Sequence, residues 1–143
     1  MKIRQFPDPV LRTPTKRVFL YDHDLKNLAR AMLETMIKAK GVGIAAPQLG
    51  ISLKMAIVWS GLPGEVPIVI CNPEILSQEG SQTAPEGCLS LIGESYEVTR
   101  PQKITCRFND LRGRLQILEA TGFLATVVMH EFDHLNSKLI CDH

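Results

Sequence analysis

The sequence predicts an α+β fold in which largely antiparallel strands pack around a central C-terminal helix. Apolar residues recur at helical spacing near each end of the chain, and strand-like segments occupy the middle. Helices that bracket a run of strands, instead of alternating with them, are typical of α+β folds. A length of 143 residues suits one hydrophobic core. We therefore expect a single domain over residues 1–143.

The N-terminal part of the chain is expected to be irregular and then helical. Three prolines fall within its first 14 residues, so this segment should wrap the surface. An amphipathic helix should follow over about 24–40, where apolar residues form one stripe. Asp22 or Asp24 can cap its start and Gly41 its end.

The middle and the end of the chain are predicted to form strands and a second helix. Segments rich in β-branched residues and bounded by Gly, Pro, Asn or Asp indicate strands. They are 54–59, 67–73, 96–100, 103–108 and 114–119. The sequence NDLRGR (109–114) indicates a hairpin turn. A second helix is expected over about 121–136, and its apolar character before His130 places it in the core.

Composition excludes several functional classes. Sixteen basic and fifteen acidic side chains nearly cancel, so nothing indicates a nucleic-acid site or an anionic membrane surface. No apolar run approaches the roughly 20 residues that a membrane span needs. The first ten residues lack the long apolar stretch of a signal peptide. We expect a soluble protein of the cytoplasm.

The four cysteines do not indicate a disulfide framework. None of them forms a C-x-x-C pair, and the chain shows no export signal. Cys71 and Cys106 lie in strand-like runs and are expected to be buried as small hydrophobic residues. Cys88 differs, because it lies among turn residues in PEGCLS.

The strongest chemical signal is HEFDH, residues 130–134. On a helix, His130 and His134 share one face about one turn apart, so both imidazoles can reach one ion. Glu131 is rotated by about 100° from His130, where it can touch a water on that ion without being a ligand. A catalytic metal site usually takes a third protein ligand and leaves one position open.

The third ligand is expected upstream of the histidines. Metallopeptidases with H-E-x-x-H take it from downstream, but here only Asp142 and His143 are candidates, in a tail that should fray. Cys88 is the best upstream donor, since a metal would hold its thiol as thiolate. His23 competes less well because it lies among solvated charges.

A third stretch, GVGIAAPQLG (41–50), surrounds Gln48 with glycine and alanine. Small residues let backbone and substrate approach closely. A helix C-cap followed by a turn would explain Gly41 equally well. Alone, this stretch is weak evidence of a site.

Together, GVGIAAPQ, EGCLS and HEFDH resemble, in that order, the three signature motifs of the peptide deformylase family. The similarity extends to DPVLRTP and the first helix. It implies a hydrolase that removes the N-formyl group from the initiator methionine of new polypeptides and releases formate. The chain resembles a short form, phage-type or organellar, without the C-terminal helix that many bacterial members add. Ser95 stands near a position that is often arginine, and Ser137 replaces a usual glycine.

The resemblance also implies roles for individual residues. The metal ligands fall on Cys88, His130 and His134. The general base falls on Glu131, and the donors to the substrate oxyanion on the Gln48 amide and the Leu89 backbone N–H. A charged pair that braces the Cys88 turn falls on Glu86 and Arg100. The substrate contacts fall on Val42, Gly43, Ile44, Gly87, Phe123, Thr126 and Val127.

The resemblance implies one divalent ion, Fe²⁺ in the cell with Zn²⁺ or Ni²⁺ as alternatives, although zinc should bind such donors more tightly. It also implies N-formylmethionyl nascent chains as partners, with transient ribosome contact. Two alternatives stay open. One is an H-E-x-x-H metallopeptidase, which would not need Cys88. The other is a catalytically silent member, against which the intact Gln48 and Glu131 count.

Overall fold

The computed structural model describes residues 1–143 and confirms the α+β fold. It contains two α-helices and seven β-strands, with three short 3₁₀ turns: one before the first helix, one between the first two strands, and one after the second helix. The helices are α1 (His23–Lys38) and α2 (Gly122–Leu135). The strands are β1 (Gly43–Ala45), β2 (Met55–Val58), β3 (Ile68–Glu79), β4 (Gln82–Cys88), β5 (Leu91–Arg100), β6 (Lys103–Asn109) and β7 (Leu115–Thr121).

Two antiparallel sheets organise the strands. The larger has the order β1-β2-β3-β6-β7, and the smaller is the β4–β5 hairpin. Every pairing between strands is antiparallel. β1 is therefore an edge strand of the larger sheet, and β4 pairs on one side only.

The larger sheet is covered by one helix on each face. Successive side chains of a strand point to opposite faces, and β2 follows this rule. Its Ala56 packs in a core cluster with Ala125 and Val128 of α2. Its Ile57 packs in a second cluster with Met32 of α1. This places α2 in the core, as predicted.

A third apolar cluster joins the two ends of the chain to the β4–β5 hairpin. Leu11 is 1% exposed within it, so the N-terminal segment contributes to the core and does not only wrap the surface. The frayed tail was also a wrong prediction. Arg12 donates two hydrogen bonds to Asp142, at 2.7 and 2.8 Å. His143 Nε2 lies 2.9 Å from Asp133 Oδ2.

The ends of α1 differ slightly from the prediction. The Asp22 side chain accepts a hydrogen bond from the Leu25 N–H at 3.0 Å, so Asp22 is the N-cap. Gly41 is not the left-handed cap, because Lys40 has that conformation with φ +59°. Gly41 N instead donates to Met36 O at 2.9 Å and closes the last turn.

The predicted strands overlap β2, β3, β5, β6 and β7, whereas β1 and β4 were missed. The turn between β6 and β7 is confirmed, since the Asp110 side chain accepts hydrogen bonds from the N–H groups of Arg112 and Arg114. No helix combines the length and apolar character required to cross a membrane. That residues 1–143 form a single domain stays a prediction, which limited proteolysis would test.

Candidate metal centre and active-site cavity

The structure brings Cys88, His130 and His134 together. Cys88 is the last residue of β4, at the tip of the hairpin, and the histidines occupy successive turns of α2. Their three ligand atoms all lie within 4.8 Å of one another. A strand end and a helix distant in sequence thus supply one donor set.

Two of the three donor–donor distances are close to those around a tetrahedral ion, and the third is within 4.8 Å. Cys88 Sγ lies 3.4 Å from His134 Nε2, which lies 3.2 Å from His130 Nε2. Metal–nitrogen distances of about 2.0–2.1 Å and a metal–sulfur distance of about 2.3 Å would separate two tetrahedral nitrogens by about 3.3 Å, and sulfur from nitrogen by about 3.6 Å. The three residues can therefore hold a divalent ion and leave its fourth position open.

A buried ionic network orients His130. Its Nδ1 lies 3.0 Å from Glu86 Oε1, which leaves Nε2 to face the other donors. Arg100, 3% exposed, donates to both Glu86 oxygens at 3.0 Å and to Asp133 at 2.6 Å. The predicted Glu86–Arg100 pair is present, and Asp133 extends it. Sequence reasoning missed Asp133, although it lies within HEFDH.

The titration behaviour reflects this network. Burial would lower the pKa of His130, but Glu131, Cys88 and Glu86 outweigh it and raise the pKa to about 10. Burial, reinforced by the nearby His130 charge, lowers the pKa of His134. Burial would raise the pKa of Glu86, but hydrogen bonds from His130 and Arg100 lower it to about 2. An ion bound here would displace the His130 proton.

Glu131 lies beside the donor set with a buried, unpaired oxygen. The residue is 4% exposed, burial raises its pKa to about 7, and Oε1 has no hydrogen-bond partner in the protein. A Cβ atom at Gly43 would overlap the Glu131 carboxylate. Glycine at position 43 therefore leaves room for this carboxylate at the edge strand β1.

The Gln48 side chain is held in one orientation. It is 1% exposed, and its Oε1 accepts a hydrogen bond from Ala45 N at 2.9 Å. Nε2 must then face the other way, where it lies 3.2 Å from Ser90 Oγ and 3.7 Å from Cys88 Sγ. An N–H donor is thereby fixed next to the donor set.

A cavity of about 540 Å³ opens onto these groups, within the range of small-ligand sites. Most of the predicted site residues line it: Val42, Gly43, Gln48, Gly87, Cys88, Leu89, Phe123, Thr126, Val127, His130 and Glu131. Two do not. His134 is 1% exposed and lies behind the cavity, and the Ile44 side chain is fully buried in the core. Phe123 is 57% exposed.

Several cavity residues were not predicted. Gln82, Ala84 and Pro85 belong to β4, and Lys40 and Glu94 border the cavity at other points. None of them lies within the three signature motifs, although Pro85 directly precedes EGCLS. Recognition of β4 as a strand that leads to Cys88 would have indicated the first three.

The competing ligands lie elsewhere. His23 is exposed at the start of α1, and His143 and Asp142 pair with Asp133 and Arg12. Cys71 and Cys106 are buried, as predicted. Burial raises their pKa values to about 12 and about 11, so both stay protonated at neutral pH.

Comparison with known proteins agrees with this arrangement. The family model described as polypeptide deformylase matches residues 1–143. The peptide deformylase of Dictyoglomus thermophilum is 45% identical over 141 residues, which are 99% of this chain and 90% of that protein. The peptide deformylase of Endomicrobium trichonymphae is 43% identical over 143 residues, 100% of this chain and 85% of that protein. The crystal structure of peptide deformylase from Thermotoga maritima, 41% identical, superposes with a TM-score of 0.94 and covers 99% of this chain and 95% of that one. A match along the whole sequence, at this identity and with this fold, means that the chain belongs to the polypeptide deformylase family.

Proposed function

We propose that this chain is a metal-dependent hydrolase that removes the N-formyl group from the initiator methionine of newly made polypeptides and releases formate. One observation carries the proposal. Three donors within 4.8 Å of one another adjoin a cavity that also contains Glu131 and the Gln48 amide. These are the groups that metal-assisted amide hydrolysis needs.

The proposed ligands are Cys88, His130 and His134. A bound divalent ion polarises a carbonyl oxygen and lowers the pKa of a water toward roughly 7. One thiolate and two neutral imidazoles would leave the site with one net positive charge. We propose Fe²⁺ as the ion used in the cell, with Zn²⁺ or Ni²⁺ also able to occupy the site, on the basis of family membership.

Glu131 is proposed as the general base and acid. Its carboxylate takes the proton of the attacking water and delivers it to the amine nitrogen that leaves as the free N-terminus of methionine. Its position supports this role, because it lines the cavity beside His130 and its Oε1 is buried without a partner. It belongs to no group of three ligand atoms close enough to share an ion.

Gln48 and Leu89 are proposed to stabilise the charge that develops on the formyl oxygen. Gln48 Nε2 is fixed 3.7 Å from Cys88 Sγ, and Leu89 follows Cys88 in the hairpin turn. Fixed donors of this kind contribute about 3–4 kcal/mol each to the transition state. Because Gln48 is buried and already oriented, little reorganisation accompanies the reaction.

The substrate chain is proposed to lie between two strand edges. β1 is the edge of the larger sheet and β4 pairs on one side only, so Gly43, Ile44 and Gly87 can offer backbone groups to an extended peptide. Ile44 can do so through its backbone although its side chain is buried. Val42, Phe123, Thr126 and Val127 would surround the methionine side chain. All of these proposed substrate-contact residues except Ile44 line the cavity, and this supports their assignment.

The proposed partners are N-formylmethionyl nascent chains in the cytoplasm, with transient contact to the ribosome. Nascent chains carry this group while they are being made, and the relatives compared above are named peptide deformylases. The two relatives compared above by sequence come from bacteria, which supports a cytoplasmic location. No nucleic-acid site or membrane attachment is part of the proposal.

The test compares kcat/KM for formyl-Met, acetyl-Met and formyl-Gly peptides, with an unblocked peptide assayed for internal cleavage. A formyl carbon carries hydrogen where acetyl carries a methyl group, so the narrow space near Gly43 and Leu89 should reject acetyl. One methylene in an apolar pocket is worth about 1–3 kcal/mol, so formyl-Gly should be poor. Equal rates for formyl-Met and acetyl-Met would contradict the proposal. Internal cleavage alone would favour a metallopeptidase. Metal binding without either activity would favour a catalytically silent member of the family.

A further inference from the structure

We propose that Ser90 is a positioning residue for the reaction: its hydroxyl fixes which N–H of Gln48 faces the substrate oxygen. The inference rests on the proposed function, in which Gln48 stabilises that oxygen. Ser90 itself is fully buried and is absent from the residues that line the cavity. It would therefore act only through Gln48.

The hydrogen-bond geometry carries the inference. The Gln48 amide is held at both ends, by Ala45 N to Oε1 at 2.9 Å and by Nε2 to Ser90 Oγ at 3.2 Å. An amide nitrogen has two hydrogens. Because Ser90 accepts one, the other is directed to the Cys88 side, where Nε2 lies 3.7 Å from Sγ. That is the side on which the substrate oxygen is proposed to lie.

The backbone around both residues is anchored independently of the serine side chain. Gln48 O accepts a hydrogen bond from Arg4 N at 2.7 Å, and Ser90 O accepts one from Phe6 N at 2.8 Å. The N-terminal segment thus connects the Gln48 loop to the hairpin turn. Loss of the Ser90 hydroxyl should leave both loops in place and loosen only the Gln48 amide, whose Oε1 is still held by Ala45 N.

The size of the effect follows from what is lost. Removal of an oxyanion donor lowers kcat by about 10²–10³, whereas the loss of one neutral hydrogen bond corresponds to about a two- to tenfold change. Ser90→Ala should therefore lower kcat by about tenfold, with KM changed by less than about twofold. Ser90→Cys fills a similar space with a weaker acceptor and should fall between Ser90→Ala and the unmodified protein.

The test is a double-mutant cycle of Ser90→Ala and Gln48→Ala. Formate release from formyl-Met-Ala-Ser and metal content are measured for all four proteins, with Ser77→Ala, at an exposed position of β3, as a matched control. We expect normal metal content in Ser90→Ala. In the Gln48→Ala background, Ser90→Ala should change kcat by less than about twofold.

Two results would overturn the inference. One is full activity of Ser90→Ala. The other is the same fold-loss from Ser90→Ala with and without Gln48, which would make the serine structural only. If the unmodified, metal-loaded protein releases no formate, the proposed function fails, and the inference fails with it. These outcomes are distinguishable because the first two require an active parent protein.

Discussion

Arg100→Leu should destabilise the protein far more than the loss of an exposed arginine would. Arg100 is 3% exposed and forms hydrogen bonds with two carboxylates, Glu86 and Asp133. Removal of one member of a buried ionic network leaves uncompensated charge and costs about 3–5 kcal/mol. The pKa of Glu86 points the same way, since burial would raise it, but hydrogen bonds from His130 and Arg100 outweigh burial and lower it from 4.5 to about 2.

The matched control is Arg107→Leu. Arg107 also forms an ion pair, with Glu74, but the two side chains are 42% and 51% exposed. Exposed pairs contribute about 0–1 kcal/mol. The assay is urea unfolding of metal-free protein at pH 7, so that bound ions do not mask the difference. A loss for Arg100→Leu no larger than that for Arg107→Leu would refute the reasoning.

The same pair of proteins gives a pH test. The pKa of Glu86 is lowered in the folded state, so its contribution is fully present above 4.5 and is lost as pH falls toward about 2. The stability difference between the unmodified protein and Arg100→Leu should therefore shrink between pH 5 and roughly pH 2–3. A difference that stays constant across this window would mean that Glu86 is not the partner that matters.

Three further predictions concern the site and the helix that carries it. Glu131→Gln should keep one metal ion per chain while kcat falls by roughly 10²–10⁴; loss of the ion together with the activity would make Glu131 a ligand. Ser137 follows α2 with φ +63°, a backbone conformation that costs L-residues about 1–2 kcal/mol. Glycine avoids this cost, but it loses more backbone entropy on folding, which offsets part of the gain. Ser137→Gly should therefore raise the unfolding free energy by about 0.5–1 kcal/mol and Tm by about 2–4 °C, whereas Ser77→Gly, at an exposed position of β3, should not. Protein loaded with Fe²⁺ should lose activity in air through oxidation at the thiolate and the open site, while protein loaded with Zn²⁺ should keep it; equal decay of both would count against iron chemistry.

The helices and most strands could be predicted because their signals are local. The apolar stripe of α1 and the β-branched runs of β2, β3 and β6 repeat at the spacing of their own element. β4 was missed because QTAPEGC contains Gly, Pro and Glu, which are depleted in strands. β1 has three residues, too few for a periodic signal. β1 is a strand only because it pairs with β2 in the folded protein.

The candidate site also has a part that local sequence patterns predict and a part that only the fold determines. HEFDH fixes two donors and a carboxylate through the helical repeat, and the elimination of downstream ligands indicated Cys88. The supporting contacts join residues far apart in the chain, such as Arg100 with Asp133 and Gln48 with Ser90. The tail was predicted to fray from its terminal position alone, because an ion pair with a residue 130 positions away, Arg12, leaves no local signal. Such contacts depend on the fold, and no local pattern encodes them.

The most direct test of the metal centre uses one substitution and two readouts. Metal content and formate release from formyl-Met-Ala-Ser are measured for anaerobically prepared protein and for Cys88→Ala, with circular dichroism to verify the fold. We expect one ion per chain and formate release from the unmodified protein, and neither from Cys88→Ala. A folded Cys88→Ala protein that retains one ion and still releases formate would contradict the assignment of Cys88 as the third ligand.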